Sequence, residues 1–320
     1  MRMYGMLQRS FNSKAFQKKL EAFIKAARSG DNVAIVEFLD HYGPEIIDAP
    51  TPIGISKKTA LMEASSAGRN ETVSLLLKRG ATIDQKDYSG MTALMHASHR
   101  GKRGAARVLL KAGADLHEKD NFGDTPFLCA VSQGYKSTMD LLLENGADIT
   151  GVDNYTKTAL IHAAECGRDN IVEELLKRGM AVDETKNNDG TTALDWAAMR
   201  GHTSTVRLLL KNGADINSRD IYMGRTPLIW AADHKQKGMV AFLLQNGAEL
   251  DTKDTENRTA LDYAQASEQS AMALILEQWP EKEKARLAKD HALWLEATDF
   301  SRGLRKPMPA PQPLKVSLPV

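Results

Sequence analysis

Only two cysteines, Cys129 and Cys166, occur in 320 residues, which excludes a disulfide scaffold and favours a reducing compartment. Aromatic residues make up 6% of the chain, so any core has to be assembled from Leu, Ala, Val and Ile. No window approaches the ~18 consecutive apolar residues of a membrane span. The opening stretch MRMYGMLQRSFNSKAFQKKLEAF has no continuous apolar run of the kind a signal peptide needs. A cytoplasmic location is expected, although a non-classical export signal would escape this test. The net charge is only +1, so the chain as a whole is no polyanion binder, and neither nucleic acid nor membrane is expected as a partner. Enzyme signatures are missing too: there is no Gly-rich phosphate loop before a Lys, no HExxH and no CxxC. No catalytic residue, cofactor or metal is therefore expected.

What the chain has is repetition. TALMEASSAG begins at Thr59 and TALMHASHRG at Thr92, followed by related stretches from Thr125, Thr158, Thr192, Thr226 and Thr259. The steps are 33, 33, 33, 34, 34 and 33 residues. Each Thr is suited to cap a helix N-terminus, and Pro126 and Pro227 stand at the first helical position, where no N–H is missed. Five residues after the Thr comes Ala in every copy: Ala64, Ala97, Ala130, Ala163, Ala197, Ala231 and Ala264. A small residue held at one helical position lets neighbouring helices approach closely. Gly68, Gly101, Gly134, Gly167 and Gly201 end the first helix, with Lys235 and Glu268 replacing that glycine in the last two copies. A second helix with a Leu pair, such as Leu76-Leu77, runs to Gly80, Gly113, Gly146, Gly179, Gly213 or Gly247. A turn-rich stretch then leads to the next copy.

The unit is thus a short helix, a turn, a second short helix and a protruding hairpin. It resembles the ankyrin repeat, whose T-P-L-H-x-A signature and 33-residue period are matched here. The fold expected is an all-α solenoid of about eight such units. A basic N-terminal segment covers 1–20 and the repeat domain covers 21–279. An N-terminal cap repeat starts at 21, repeats start at 59, 92, 125, 158, 192 and 226, and a C-terminal cap starts at 259. A further helix is expected over 280–300, with apolar Leu287, Leu293, Trp294 and Leu295, and a Pro-rich, disordered tail over 301–320.

His96 and His99 share a helix face, a spacing that can hold a metal or shuttle a proton. His96 belongs to a mixed column, Glu63, His96, Cys129, His162, Trp196, Trp230 and Tyr263, which suits packing better than catalysis. A ladder of His96, Cys129 and His162 would span about 16–20 Å across stacked helices, too far for ligands that must lie about 2.0–2.3 Å from a zinc. Asp195 and Asp262 occupy equivalent first-turn positions that suit the helix dipole. Arg100, Lys102, Arg103, Arg107 and Lys111 form an acid-free run, and residues 1–28 hold seven basic residues against Glu21 alone. Contact with phosphate or an acidic partner is one reading of these runs; a solvated helix face and a terminus is the other.

The ankyrin resemblance implies a curved stack that binds a protein partner through hairpin tips and exposed late first-helix positions, in a chain expected to be monomeric. Carried onto this sequence, the tip column is Tyr88, Met91, Phe122, Tyr155, Tyr222 and Arg225. The late first-helix column includes His99, Arg100, Met199, Arg200 and His234. Aromatics, Met and Arg are enriched at interface hot spots; the alternative is that the tip aromatics pack on the next hairpin. The implied function is a non-catalytic scaffold, adaptor or inhibitor. An alternative is a secreted bacterial effector acting on host proteins, with the basic, Pro-rich end serving export. Catalysis from the flanking segments is a third reading, against which stands that each is too short for a domain.

Overall fold

Seven threonines start seven helices. The hydroxyls of Thr59, Thr92, Thr125, Thr158, Thr192, Thr226 and Thr259 each accept from the backbone N–H three residues on, at 3.3–3.4 Å. Asp195 and Asp262 complete the cap in their copies, accepting from the Thr192 and Thr259 backbone N–H at 2.7 and 2.6 Å. This reciprocal box satisfies two otherwise orphaned donors, which accounts for both acids without catalysis.

The structure is a computed structural model, which describes residues 14–51, 57–183 and 188–300. The basic stretch before Lys14, the hairpin residue Asn187 and the Pro-rich tail from 301 lie outside the described residues. Within them the architecture is all-helical with no strand. The first helices are α3 (Ala60–Ala67), α5 (Ala93–His99), α7 (Pro126–Gln133), α9 (Ala159–Glu165), α11 (Ala193–Arg200), α13 (Pro227–Asp233) and α15 (Ala260–Ala266). The second helices are α4 (Asn70–Lys78), α6 (Arg103–Lys111), α8 (Lys136–Glu144), α10 (Asp169–Lys177), α12 (Thr203–Lys211) and α14 (Lys237–Gln245). First helices pack on first helices and second on second, giving two layers in a helical repeat solenoid.

The constant alanines make that stacking possible: Ala64, Ala97, Ala130, Ala163, Ala197, Ala231 and Ala264 have no exposed surface. Second helices bury the first Leu of each pair, Leu76, Leu109, Leu142, Leu175, Leu209 and Leu243, together with the residue three earlier, from Val73 to Val240. Each fully buried Leu contributes about 1.5–3 kcal/mol. The helices end in a Schellman pattern. In α4, for example, the Gly80 N–H reaches the Leu77 carbonyl and the Ala81 N–H reaches the Leu76 carbonyl.

Both ends differ from the periodic expectation. α1 (Lys14–Ser29) begins seven residues before the expected start at Glu21, because Phe16 and Leu20 extend the apolar stripe of Phe23, Ile24 and Ala27. It packs with α2 (Asn32–Tyr42), and the longer loop that follows folds a short 3₁₀ turn, Pro44–Ile46, that buries Ile46 and Ile47. At the other end, one helix, α16 (Ser270–Phe300), runs through Pro280, where a second helix and a separate 280–300 helix were expected. No left-handed glycine stands after Trp279 to stop it, and the helix continues although Pro280 removes one helical donor and crowds the carbonyl four residues earlier. The Leu287, Leu293, Trp294 and Leu295 side chains lie outside the described residues.

The first-helix stop needs a left-handed residue. Gly68, Gly101, Gly134, Gly167 and Gly201 take φ of 63–81°, and Lys235 and Glu268 take 61° and 56° at the same place. A left-handed L-residue costs roughly 1–2 kcal/mol. Lys235→Gly should therefore raise stability by about 1 kcal/mol, after allowance for glycine's chain entropy. Gly101→Ala should lower it by about 1–2 kcal/mol or more, since its Cβ would also lie 2.5 Å from the Tyr135 ring. Urea unfolding midpoints should move in opposite directions; an unchanged or lower midpoint for Lys235→Gly would contradict the strain at that position.

Candidate functional site

Five of the hairpins are organised by an aspartate five or six residues before the capping Thr: Asp87, Asp120, Asp153, Asp220 and Asp254. One oxygen of Asp87 accepts from Ser89 and Met91, one of Asp120 from Phe122 and Asp124, one of Asp153 from Tyr155 and Lys157, and one of Asp254 from Glu256 and Arg258, all at 2.8–3.0 Å. In the hairpin with an extra residue, Asp220 divides the task, Oδ1 taking Met223 and Oδ2 taking Arg225. The aspartate side chain closes the turn by mimicking a backbone acceptor.

The second oxygen reaches the first helix. Asp87 Oδ2 lies 2.8 Å from His96 Nε2, Asp153 Oδ2 lies 3.2 Å from His162 Nε2, and the Tyr263 hydroxyl donates to Asp254 Oδ2 at 2.6 Å. Here is the role of the mixed column: its polar members lock the hairpin to the helix. The His96–Cys129–His162 ladder is not assembled, because each histidine is engaged by its own hairpin. Cys129 is fully buried, and burial, with the nearby Asp124, drives its thiol well above the usual range. Burial and Glu165 also raise Cys166. Both thiols stay protonated and are poor nucleophiles. The aspartate column stands in the sequence five or six residues before the Thr, but in turn-rich stretches full of Asp and Asn its role is not legible without the backbone N–H groups that it gathers.

The hairpins are also tied to one another. Asn121 N–H donates to the Ser89 carbonyl at 3.0 Å, Asn154 to Phe122 at 2.9 Å, Ile221 to Asp189 at 2.9 Å and Thr255 to Met223 at 2.8 Å. The Asn121 and Asn154 side chains add bonds to the Tyr88 and Asn121 carbonyls. Their tips point to solvent: Tyr88, Phe122, Tyr155 and Tyr222 are 62, 58, 59 and 65% exposed. Met91 is only half-buried. The longer hairpin adds exposed Ile221 and Met223 beside Tyr222, two residues that the tip column did not include.

The late first-helix positions divide. Arg100, Arg200 and His234 are exposed and His99 is half-buried. Arg200 is held by Glu165 at 2.6 Å, and His234 Nδ1 lies 3.1 Å from the Trp230 carbonyl. Met199 and Arg225, expected at the surface, are buried. Met199 stands in a column where His99, Ser132, Glu165 and Asp233 stay half-buried, and its apolar side chain turns into the stack instead. Arg225 pairs with Asp233 at 2.9 Å, and its guanidinium lies 4.6 Å from the Trp230 ring centre and 4.8 Å from that of Tyr263.

Arg225 belongs to a pattern that joins consecutive repeats. The residue just before one Thr meets the column residue of the next helix. Asp124 approaches His162, Lys157 sits 3.7 Å over the Trp196 ring, and Arg225 faces Tyr263. Another bridge runs backwards from the start of the second helices. Arg69 donates to the Arg28 carbonyl, Arg168 to Ser132 and Gln236 to Met199, and His202 Nε2 lies 3.0 Å from the Glu165 carbonyl. The acid-free run is partly used in the same way, since Arg103 donates to the Ser137 carbonyl of the next repeat, while Arg107 and Lys111 are exposed.

Two outcomes follow from these contacts. Burial, helped by the Lys58 cation, holds His96 below the ordinary histidine value against the pull of Asp87. The unfolded chain therefore takes up that proton at higher pH than the folded chain. The stability is intact above about pH 6.5 and is lost as pH falls through the folded value. His96→Gln should flatten this decline, checked by urea unfolding of both proteins from neutral to acid pH. Arg225→Gln should cost about 2 kcal/mol, through two ring contacts and an ion pair that is partly open on the Asp233 side. A loss within ordinary surface-substitution scatter, about 0.5 kcal/mol, would remove Arg225 from the framework.

Comparison with known proteins agrees with this geometry. The ankyrin-repeat family, described as ankyrin repeats in three copies, matches residues 23–120, 104–186, 129–220 and 220–284. A search of curated proteins returned no match. Among solved structures, the chain is similar to the crystal structure of the human ASB11 ankyrin repeat domain, with a TM-score of 0.57 and 25% identity. That similarity covers 64% of this chain and 91% of the other. No helix among the described residues is long and apolar enough to cross a membrane. With capped helix pairs, hairpins in register and a family match across most of its length, the chain belongs to the ankyrin-repeat family.

Proposed function

We propose that this protein is a non-catalytic interaction module that engages a folded protein partner through its hairpin tips and the adjoining late first-helix residues. Ankyrin repeats are in general protein–protein interaction modules, and the observation that carries the reading here is the row of exposed tip side chains. Tyr88, Phe122, Tyr155 and Tyr222, with Ile221 and Met223, keep 43–67% of their surface in water. Large rings left mostly in water at four hairpin tips add little to the fold, but they do offer contact area at low entropic cost. The hairpins beneath them are held by aspartate and by tip-to-tip hydrogen bonds, so little ordering remains to be done on binding. Arg100, Arg200, His99 and His234 border that row on the helix side, and Met91 lies beneath it. Met199 and Arg225 support the surface from within. The partner is a protein, and the module acts as a scaffold, adaptor or inhibitor in the cytoplasm as a monomer.

The test replaces Tyr88, Phe122, Tyr155 and Tyr222 together by Ala. As surface changes they should leave unfolding within about 0.5 kcal/mol per site. Cross-linking capture from the source cell should recover a partner with the parent protein, and the purified partner should bind the variant at least about tenfold more weakly. Undiminished binding to a variant with native circular dichroism would sink the tip reading.

A further inference from the structure

Two carboxylates converge on one imidazole nitrogen in the junction between the third and fourth full repeats. Asp153 Oδ2 lies 3.2 Å from His162 Nε2, and Asp124 Oδ1 lies 3.5 Å from the same atom. All three ligand atoms fall within 4.8 Å of one another. His162 and Asp153 are buried, and Asp124 keeps 23% of its side chain open to solvent. An imidazole Nε2 carries at most one hydrogen, which can serve one acceptor. Asp124 Oδ1 is buried and has no hydrogen-bond partner. A buried, unsatisfied carboxylate oxygen is costly, and burial accordingly raises the Asp124 carboxyl above its usual range, with Asp120 and Asp153 pushing the same way.

We propose that Asp124, Asp153 and His162 form a binding site for a first-row divalent cation of the Zn²⁺ type, clamping one repeat to the next. One cation would satisfy all three atoms where one proton cannot. Ligands about 2.0–2.2 Å from a tetrahedral zinc stand roughly 3.3–3.6 Å apart, close to the 3.2 and 3.5 Å that separate the two carboxylate oxygens from the imidazole nitrogen. One nitrogen with two carboxylate oxygens is a donor set that suits zinc. One ligand is held in place by the hairpin: Asp153 Oδ1 is committed to the Tyr155 and Lys157 backbone N–H groups, leaving Oδ2 to face inward. The open side of Asp124 leaves room for water in the fourth position. Lys157, whose charge bears on Asp124, has its ammonium 2.6 Å from Glu165 and 3.7 Å over the Trp196 ring.

The chain contains its own control. His96 and Asp87 form the same pair at 2.8 Å, but the residue in the place of Asp124 is Lys58, whose charge bears on His96. A cation there repels a metal. The site is thus set by one residue, the acid before Thr125, and not by the histidine–aspartate lock that the repeats share.

The full chain, stripped with a chelator and then freed of it, is titrated with Zn²⁺ in a calorimeter. The parent protein should bind one equivalent, and Zn²⁺ should raise its melting temperature. Asp124→Asn keeps the shape and the turn, and should weaken binding at least about tenfold and abolish the melting shift. Asp87→Asn, in the control pair, should leave both unchanged. Co²⁺ in place of Zn²⁺ should give visible ligand-field absorption that is lost in Asp124→Asn. Absent binding, binding that Asp124→Asn leaves intact, or equal loss in Asp87→Asn would each overturn the proposal.

Discussion

A carboxylate has two oxygens, and this fold uses them for two different tasks. In four hairpins one oxygen gathers two backbone N–H groups and so fixes the turn. In three of those repeats the other takes a side chain from the following first helix. Without that second contact, the hairpin would be a loop held only at its ends. With it, the hairpin leaves the helix layers at a set angle, and the spacing of the tips is inherited from the spacing of the helices. The helix spacing rests in turn on an alanine that never reaches solvent. Backbone approach, hairpin posture and tip presentation are links of one chain of causes.

Stability in such an array is a sum of units and of junctions between neighbours, and the junctions here are chemically unlike. Lysine over tryptophan joins the repeats at Lys157–Trp196, arginine between two rings joins them at Arg225, and two acids meet a histidine at His162. The backward bridges to helix-end carbonyls, from Arg69, Arg168, His202 and Gln236, are more uniform, because any side chain with a donor of that reach can serve an orphaned carbonyl. Uniform contacts keep the stack in register, while the variable ones let individual junctions differ in strength and in their response to pH or ions.

Function is laid over this frame. Side chains that close hairpins or cap helices are buried and fixed, whereas tip positions are free of structural duty and can carry rings into water. That separation allows one architecture to present many surfaces. It also gives the acids and thiols structural places: Asp195 and Asp262 are engaged in caps, and burial pushes both cysteine thiols up from their ordinary value.

By itself the sequence determined the unit. Thr caps, the alanine column, the Leu pairs and the glycine stops all act within one repeat, through hydrogen bonds and backbone preferences that span a few residues, so a self-comparison of the chain reveals them. The exposed tip rings were legible for the same reason, as residues left over from that local frame. Only the tertiary structure decided what faces what across a junction. Met199 and Arg225 occupy columns that look exposed in one repeat and are covered by the next. Asp124 meets His162 although 38 positions separate them, because the stacking offset brings the end of one hairpin over the following helix. The start of α1 was likewise settled by packing, since Phe16 and Leu20 are buried, and the run of α16 through Pro280 lies beyond the last repeat, where the period stops.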